Sequence, residues 1–128
     1  MQLLGKVLDL RAQKAQVISA NIANAETPGY SAKRFDFEKD LAQTIKTNND
    51  FHMKTSHSAH ISLGPSNFNS VTGKVVSVKD STGVGDKNSV DVNQQMTDLS
   101  ENELLYETAA QLLKQKLNQL NFVISGGQ

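Results

Sequence analysis

Hydrophobic positions in the last third of the chain recur at three- and four-residue intervals. Val92, Leu99, Tyr106, Leu113 and Leu120 share one heptad position, and Met96, Glu103, Ala110, Leu117 and Ile124 share its companion. Only Glu103 interrupts the apolar line. This spacing predicts one long helix over 91–124 carrying a narrow apolar stripe. Most other positions are polar and helix-favouring, among them Gln94, Gln95, Glu101, Lys114 and Lys116, and no Gly or Pro falls between Gly85 and Gly126. At about 1.5 Å per residue the helix would run roughly 50 Å. A single stripe of that length needs a partner helix along most of it.

The first 26 residues offer one. Leu4, Arg11, Ile18 and Ala25 recur at one heptad position, and Leu8, Ala15 and Ile22 at the other. The expected fold is therefore mainly α: an antiparallel pair of long N- and C-terminal helices, 1–26 and 91–124, forming a coiled-coil-like stem. The plainer alternative is an amphipathic helix lying on a globular core. Two narrow stripes bury little area, so the helix ends are expected to be poorly ordered in a free monomer and ordered in an assembly. Arg11 and Glu103, which interrupt the two stripes, are expected to make polar contacts to neighbouring subunits, because an unpaired buried charge is costly.

Between the helices the pattern weakens. Pro28 disfavours helix at Thr27, so the first helix is expected to stop near Ala25 or Glu26. Pro28-Gly29 suits the centre of a type II turn. Asn21 and Asn24 fall in the last helical turns, where Asn is a poor helix former; their amides are expected to bond a neighbouring backbone across the interface. Residues 27–46 form a turn plus a short helix: Phe35 and Phe37 sit in an extended lead-in and anchor packing, and Leu41 to Ile45 has helical spacing. Residues 47–90 are rich in Asn, Ser, Thr, Gly and Lys and read as an irregular, loop-rich excursion with at most one small β-hairpin. Phe51, Met53 and Thr55 alternate there, as do Val76 and Val78 after Gly73. Asp91 is a good N-cap for the last helix, with Gln94 in a capping-box-like position.

Composition narrows the function. Lys+Arg and Asp+Glu are 13 each, which gives no electrostatic case for nucleic acid or an anionic membrane. Hydrophobic residues make up 38% and aromatics only 5%, lean for a compact globule. There is no Cys, hence no thiolate metal site, and no apolar run approaches a membrane span, so direct insertion is not expected. The N-terminal residues lack a secretory signal pattern.

Ser19 to Tyr30 reads S-A-N-I-A-N-A-E-T-P-G-Y, and this string, with Asn21, Ile22, Ala23, Asn24, Thr27, Pro28, Gly29 and Tyr30 at its centre, resembles the signature of bacterial flagellar rod and hook proteins. Further likeness lies in Leu10-Arg11-Ala12-Gln13, Phe35-Asp36-Phe37, Thr55-Ser56-His57, His60-Ile61, Asn88 to Val92 and Asn102 to Tyr106. The short span from Tyr30 to Phe37 favours the proximal-rod branch. The resemblance implies a structural subunit of the basal-body rod that polymerises through its terminal helices and transmits motor torque from the membrane ring to the hook. It implies as partners other copies of itself, other rod proteins, the adaptor and membrane-ring proteins at the rod base (FliE and the MS ring) and the flagellar type III export apparatus. It also implies an extracytoplasmic basal-body location reached without a cleavable signal peptide.

Enzymatic signatures are missing from the sequence. It holds no phosphate loop, no G-x-S-x-G and no H-E-x-x-H. Asp36, Glu38 and Asp40 alternate with Lys33, Arg34 and Lys39, as on a solvated face. His52, His57 and His60 have neither helical spacing nor a nearby carboxylate set, so neither a metal nor any other cofactor is expected. The terminal Gly-Gly-Gln lacks a basic RNA-binding surface. The competing reading is a helical export chaperone or secretion adaptor, which would be well ordered as a small oligomer.

Overall fold

The computed structural model describes residues 1–49, 68–78 and 88–126. Its elements follow in the order α1 (Gln2–Ala23), β1 (Lys33–Asp36), α2 (Glu38–Asn49), a single 3-10 turn (Phe68–Ser70), β2 (Lys74–Ser77) and α3 (Val92–Ile124). The mainly α architecture with paired terminal helices is the one expected. Phe51, Met53, Thr55, the three His and the Asp80–Asp86 loop lie outside the described residues.

α1 and α3 make the most extensive contact in the molecule. Arg11 bonds Asn102, and Asn21 bonds Gln95, so the two helices run antiparallel. Equal rise along both helices then sets Met1 roughly level with Leu112. The last ten or so residues of α3 extend past α1, a free length of about 15 Å. The long helix is thus partnered over its first two thirds, and every described residue from Lys114 onward is exposed.

The buried line on α3 also differs from the expected one. Asn102 and Ala109 are buried and Gln95 is half-buried, whereas Met96 and Glu103, one position on, face solvent. Leu99, Ala110 and Leu113 are half-buried; Val92, Tyr106, Leu117, Leu120 and Ile124 are exposed. An apolar count misses this line because two of its members are polar, and they are buried because α1 supplies their hydrogen-bond partners. On α1, Ile18 is buried and Leu4, Leu8, Arg11, Ala15, Ile22 and Ala25 are half-buried.

α1 has a second inward face. Leu10 is buried with Phe35, Phe37 and Val71, and Val17 and Leu41 pack against this cluster. The two Phe rings sit 5.8 Å apart in a tilted arrangement. They come from β1 and the residue after it, the extended lead-in expected from their spacing. β1 pairs antiparallel with β2, setting Phe35 opposite Val75 and Arg34 opposite Val76. The small sheet is therefore not a hairpin internal to the excursion. Val75 and Val76 join the strand that carries the phenylalanines, since that strand leads into α2 and lies against α1.

Gly73, just before β2, lies under the Phe35 ring; a Cβ there would overlap the ring atoms Cζ, Cε1 and Cε2. Gly73→Ala should therefore push Phe35 out of place and lower stability by about 1–3 kcal/mol, the usual cost of overpacking. Thermal unfolding checks this, and Gly5→Ala, which meets nothing, should be silent or slightly stabilising.

Candidate functional site: the signature turn and the seam it locks

α1 ends at Ala23, two to three residues earlier than expected. Asn24 caps it, with its N–H shared between the carbonyls of Ala20 and Asn21. Two further turns follow before Pro28. The N–H of Tyr30 closes on the carbonyl of Thr27 at 3.2 Å, and Gly29 has a φ of 73°. That is the Pro-Gly turn the sequence predicts, with Gly supplying the positive φ. Proline is thus not what stops the helix.

Asn21 is completely buried and uses all four of its hydrogen-bonding sites. Its Nδ2 donates to the carbonyl of Lys33 at 2.6 Å and to Oε1 of Gln95 at 2.8 Å. Its Oδ1 accepts from the N–H of Lys33 at 2.9 Å and from the Tyr30 hydroxyl at 3.2 Å. One side chain thereby ties the end of α1 to the first residue of β1, to the signature Tyr and to α3. Asn24 acts locally: its Nδ2 donates to the Ala20 carbonyl. Within the chain each amide bonds a backbone carbonyl, Asn21 that of Lys33 and Asn24 that of Ala20.

Residues just ahead of α3 complete the knot. Nδ2 of Asn88 lies 3.0, 2.6 and 2.9 Å from the carbonyls of Asn24, Ala25 and Thr27, in the turns that follow α1. Ser89 Oγ accepts from the Ala32 N–H and donates to the Val78 carbonyl, both at 2.8 Å. Asp91 then caps α3, accepting from the N–H groups of Asn93 and Gln94. The Gln94 side chain does not close a capping box; its amide donates to Asp98 one turn on. Asn88 and Ser89 were legible only as part of a motif, since their partners at Asn24, Ala25, Thr27 and Ala32 lie about sixty residues away.

Halfway down the stem a second polar pair locks the seam. Nη1 of Arg11 donates to Oδ1 of Asn102 at 3.2 Å, and Nδ2 of Asn102 donates to the Arg11 carbonyl at 2.9 Å. The Arg11 guanidinium also stands 5.6 Å from the centre of the Phe37 ring, within cation–π range. Arg11 interrupts the apolar stripe to make this pair inside its own chain. Glu103, its expected counterpart, is exposed. Next to Arg11, Lys14 pairs with Glu38 at 2.6 Å. Partial burial pushes the Glu38 carboxyl up, but the bond from Lys14 and those from the Glu38 and Phe37 N–H groups outweigh it and hold the pKa below 4.5.

Among the described residues no cluster of His, Asp and Glu could hold a metal, and no helix is long and apolar enough to cross a membrane. The site has the chemistry of a joint. Its buried amides are taken up in hydrogen bonds that fix where two helices and a strand meet.

Residues 8–30, which contain Arg11 and Asn21, match the family described as flagella basal body rod protein. The chain is a structural subunit of the bacterial flagellar basal-body rod. It is 31% identical to the flagellar basal body rod protein FlgB of Aeromonas hydrophila over 94% of this chain and 89% of the relative. Against FlgB of Bacillus subtilis (strain 168) it is 31% identical over 90% and 84%, and against that of Salmonella typhimurium 28% over 95% and 90%. The chain belongs to the FlgB family. These relatives leave the chaperone or adaptor reading without support.

Asn21→Ala should cost about 2–4 kcal/mol, because the backbone of Lys33 and the amide of Gln95 lose buried partners. Asn24→Ala, which loses an exposed local bond, should cost under about 1 kcal/mol. Urea unfolding of both variants checks the contrast. Because the Glu38 pKa is depressed on folding, the stability it lends is present above about pH 4.5 and is lost as pH falls through the folded value. The pair is partly exposed, so Glu38→Gln should remove only a few tenths of a kcal/mol at pH 7 and progressively less as pH falls below about 4.5.

Proposed function

We propose that this chain polymerises through its terminal helices into the wall of the proximal rod and passes motor torque from the membrane ring toward the hook. The observation that carries the reading is the stem itself. A continuous 33-residue helix is locked in register by buried amides, yet more than a quarter of it extends past its intrachain partner. A joint held by fully paired polar groups resists sliding and twisting, which a torque-bearing wall requires and which calls for no catalysis. The partners that follow are further copies, other rod proteins, and FliE and the MS ring at the rod base. Export through the flagellar type III apparatus, without a cleavable signal, and an extracytoplasmic position follow from the same reading.

The seam residues divide by role. Leu4, Leu8, Ile18, Ile22, Leu99 and Leu113 serve the stem. Met96, Glu103, Leu117, Leu120 and Ile124 serve contacts between subunits.

Deletion of the gene should leave cells growing normally but non-motile and without hooks, and the intact chain should restore both. Hooks and swimming in the deletion strain would overturn the reading. In the purified monomer, amide exchange should be slow around Asn21 and Asn102 and fast through residues 1–9 and 114–124. Assembly should slow both ends; a monomer protected throughout would favour a self-sufficient binding module.

A further inference from the structure

The free end of α3 continues the face that covers α1. Leu120 lies eighteen residues after Asn102, about five helical turns, so the two share one side of the helix. Leu117 and Ile124 lie beside Leu120 on that side, with no α1 over them. Leu117, Leu120 and Ile124 are 45%, 47% and 81% exposed. Lys114 and Lys116 flank this stripe on either side.

Charge along α3 and its flanks is segregated. Residues 88–113 contain Asp91, Asp98, Glu101, Glu103 and Glu107 and no Lys or Arg; residues 108–126 contain Lys114 and Lys116 and no acid. Asp91 serves as the α3 cap, but the helix dipole does not account for the rest, because it acts within the first and last turns and the other groups lie beyond them. The acidic part also has an apolar outer side: Met96 and Leu104, 58% and 65% exposed, lie near Glu103 and Glu107 on the side away from α1. One helix therefore carries two complementary exposed surfaces, a basic-flanked apolar end and an acid-flanked apolar back.

We infer that the free end of α3 seats on the outer face of α3 in a second copy, with Lys114 and Lys116 against Glu103 and Glu107, and Leu117 and Leu120 against Met96 and Leu104. The inference rests on the polymerising reading and adds which surface meets which. A symmetric pairing of two free ends would gather four ammonium groups with no acid between them. The heterologous contact avoids that, and it leaves each copy with one end and one back unused, which is the geometry of an open-ended array. A free end about 15 Å long covers only a fraction of the roughly 800 Å² per partner that a stable pair needs. The contact is therefore weak between two copies and becomes effective only when repeated.

The chain has no Cys, so cross-linking can read the contact directly. Leu104→Cys and Leu120→Cys chains are mixed at low salt and oxidised. The mixture should give a disulfide-linked pair, and Leu120→Cys alone should give none. Adding Lys114→Glu and Lys116→Glu to the Leu120→Cys chain should cut the yield about fivefold, and adding Glu103→Lys and Glu107→Lys to its partner should restore it. A dominant Leu120→Cys pair, or no restoration by the second swap, overturns the inference. So does an absence of cross-links while the unmodified chain sediments as polymer, which leaves the polymerising reading intact. If the unmodified chain never sediments as polymer and no cross-link forms, both fall.

Discussion

A buried amide that loses its partners costs more than a neutral hydrogen bond contributes. The structure depends on that asymmetry at two points, Asn21 and Asn102. Apolar contact between α1 and α3 is mostly half-buried, and half-buried leucines tolerate a slip of register. The two Asn side chains do not, since a slip would strand Asn21 against the wrong backbone and separate Asn102 from Arg11. Among the described residues no buried side-chain N or O lacks a partner, so the seam is fully satisfied in this register. A single buried polar residue fixing the register of paired helices is a known use of such a group.

The same constraint explains what was legible in the sequence. Both terminal helices, the Asp91 cap, the Pro-Gly turn and the inward Phe pair follow from local rules, namely periodicity, side-chain capping, backbone sterics and apolar spacing. The true seam on α3 did not follow, because it runs through Gln95 and Asn102, which a pattern of apolar residues marks as surface. The partner of β2 was hidden for a different reason. Pairing between Val75 and Phe35 spans forty residues, and nothing local in either strand specifies the other. The role of Asn21 was visible only as an oddity, a poor helix former at a helix end with no local explanation. Its partners, at Lys33 and Gln95, required the fold.

Function follows from how stiffness is distributed. Near the signature turn, the end of α1, the residues leading into α3, the start of β1 and Val78 after β2 are joined by side-chain bonds to backbone groups. Midway, Arg11 and Asn102 join the helices again with Phe37 beneath the guanidinium. Beyond Leu113 every described residue of α3 is exposed. A rod subunit needs this combination: a joint that carries torsion without yielding, and a surface left for neighbours. The match to the basal body rod family at residues 8–30 contains the joint residues of α1.

The central claim is that buried polar pairs set the register of the stem. It is tested most directly by a double-mutant cycle on Arg11→Ala and Asn102→Ala, read by urea unfolding. A locked pair predicts a coupling of about 1–2 kcal/mol, the two losses falling well short of additive. Strict additivity would mean that the Arg11 and Asn102 side chains do not act as a pair, and would contradict the account.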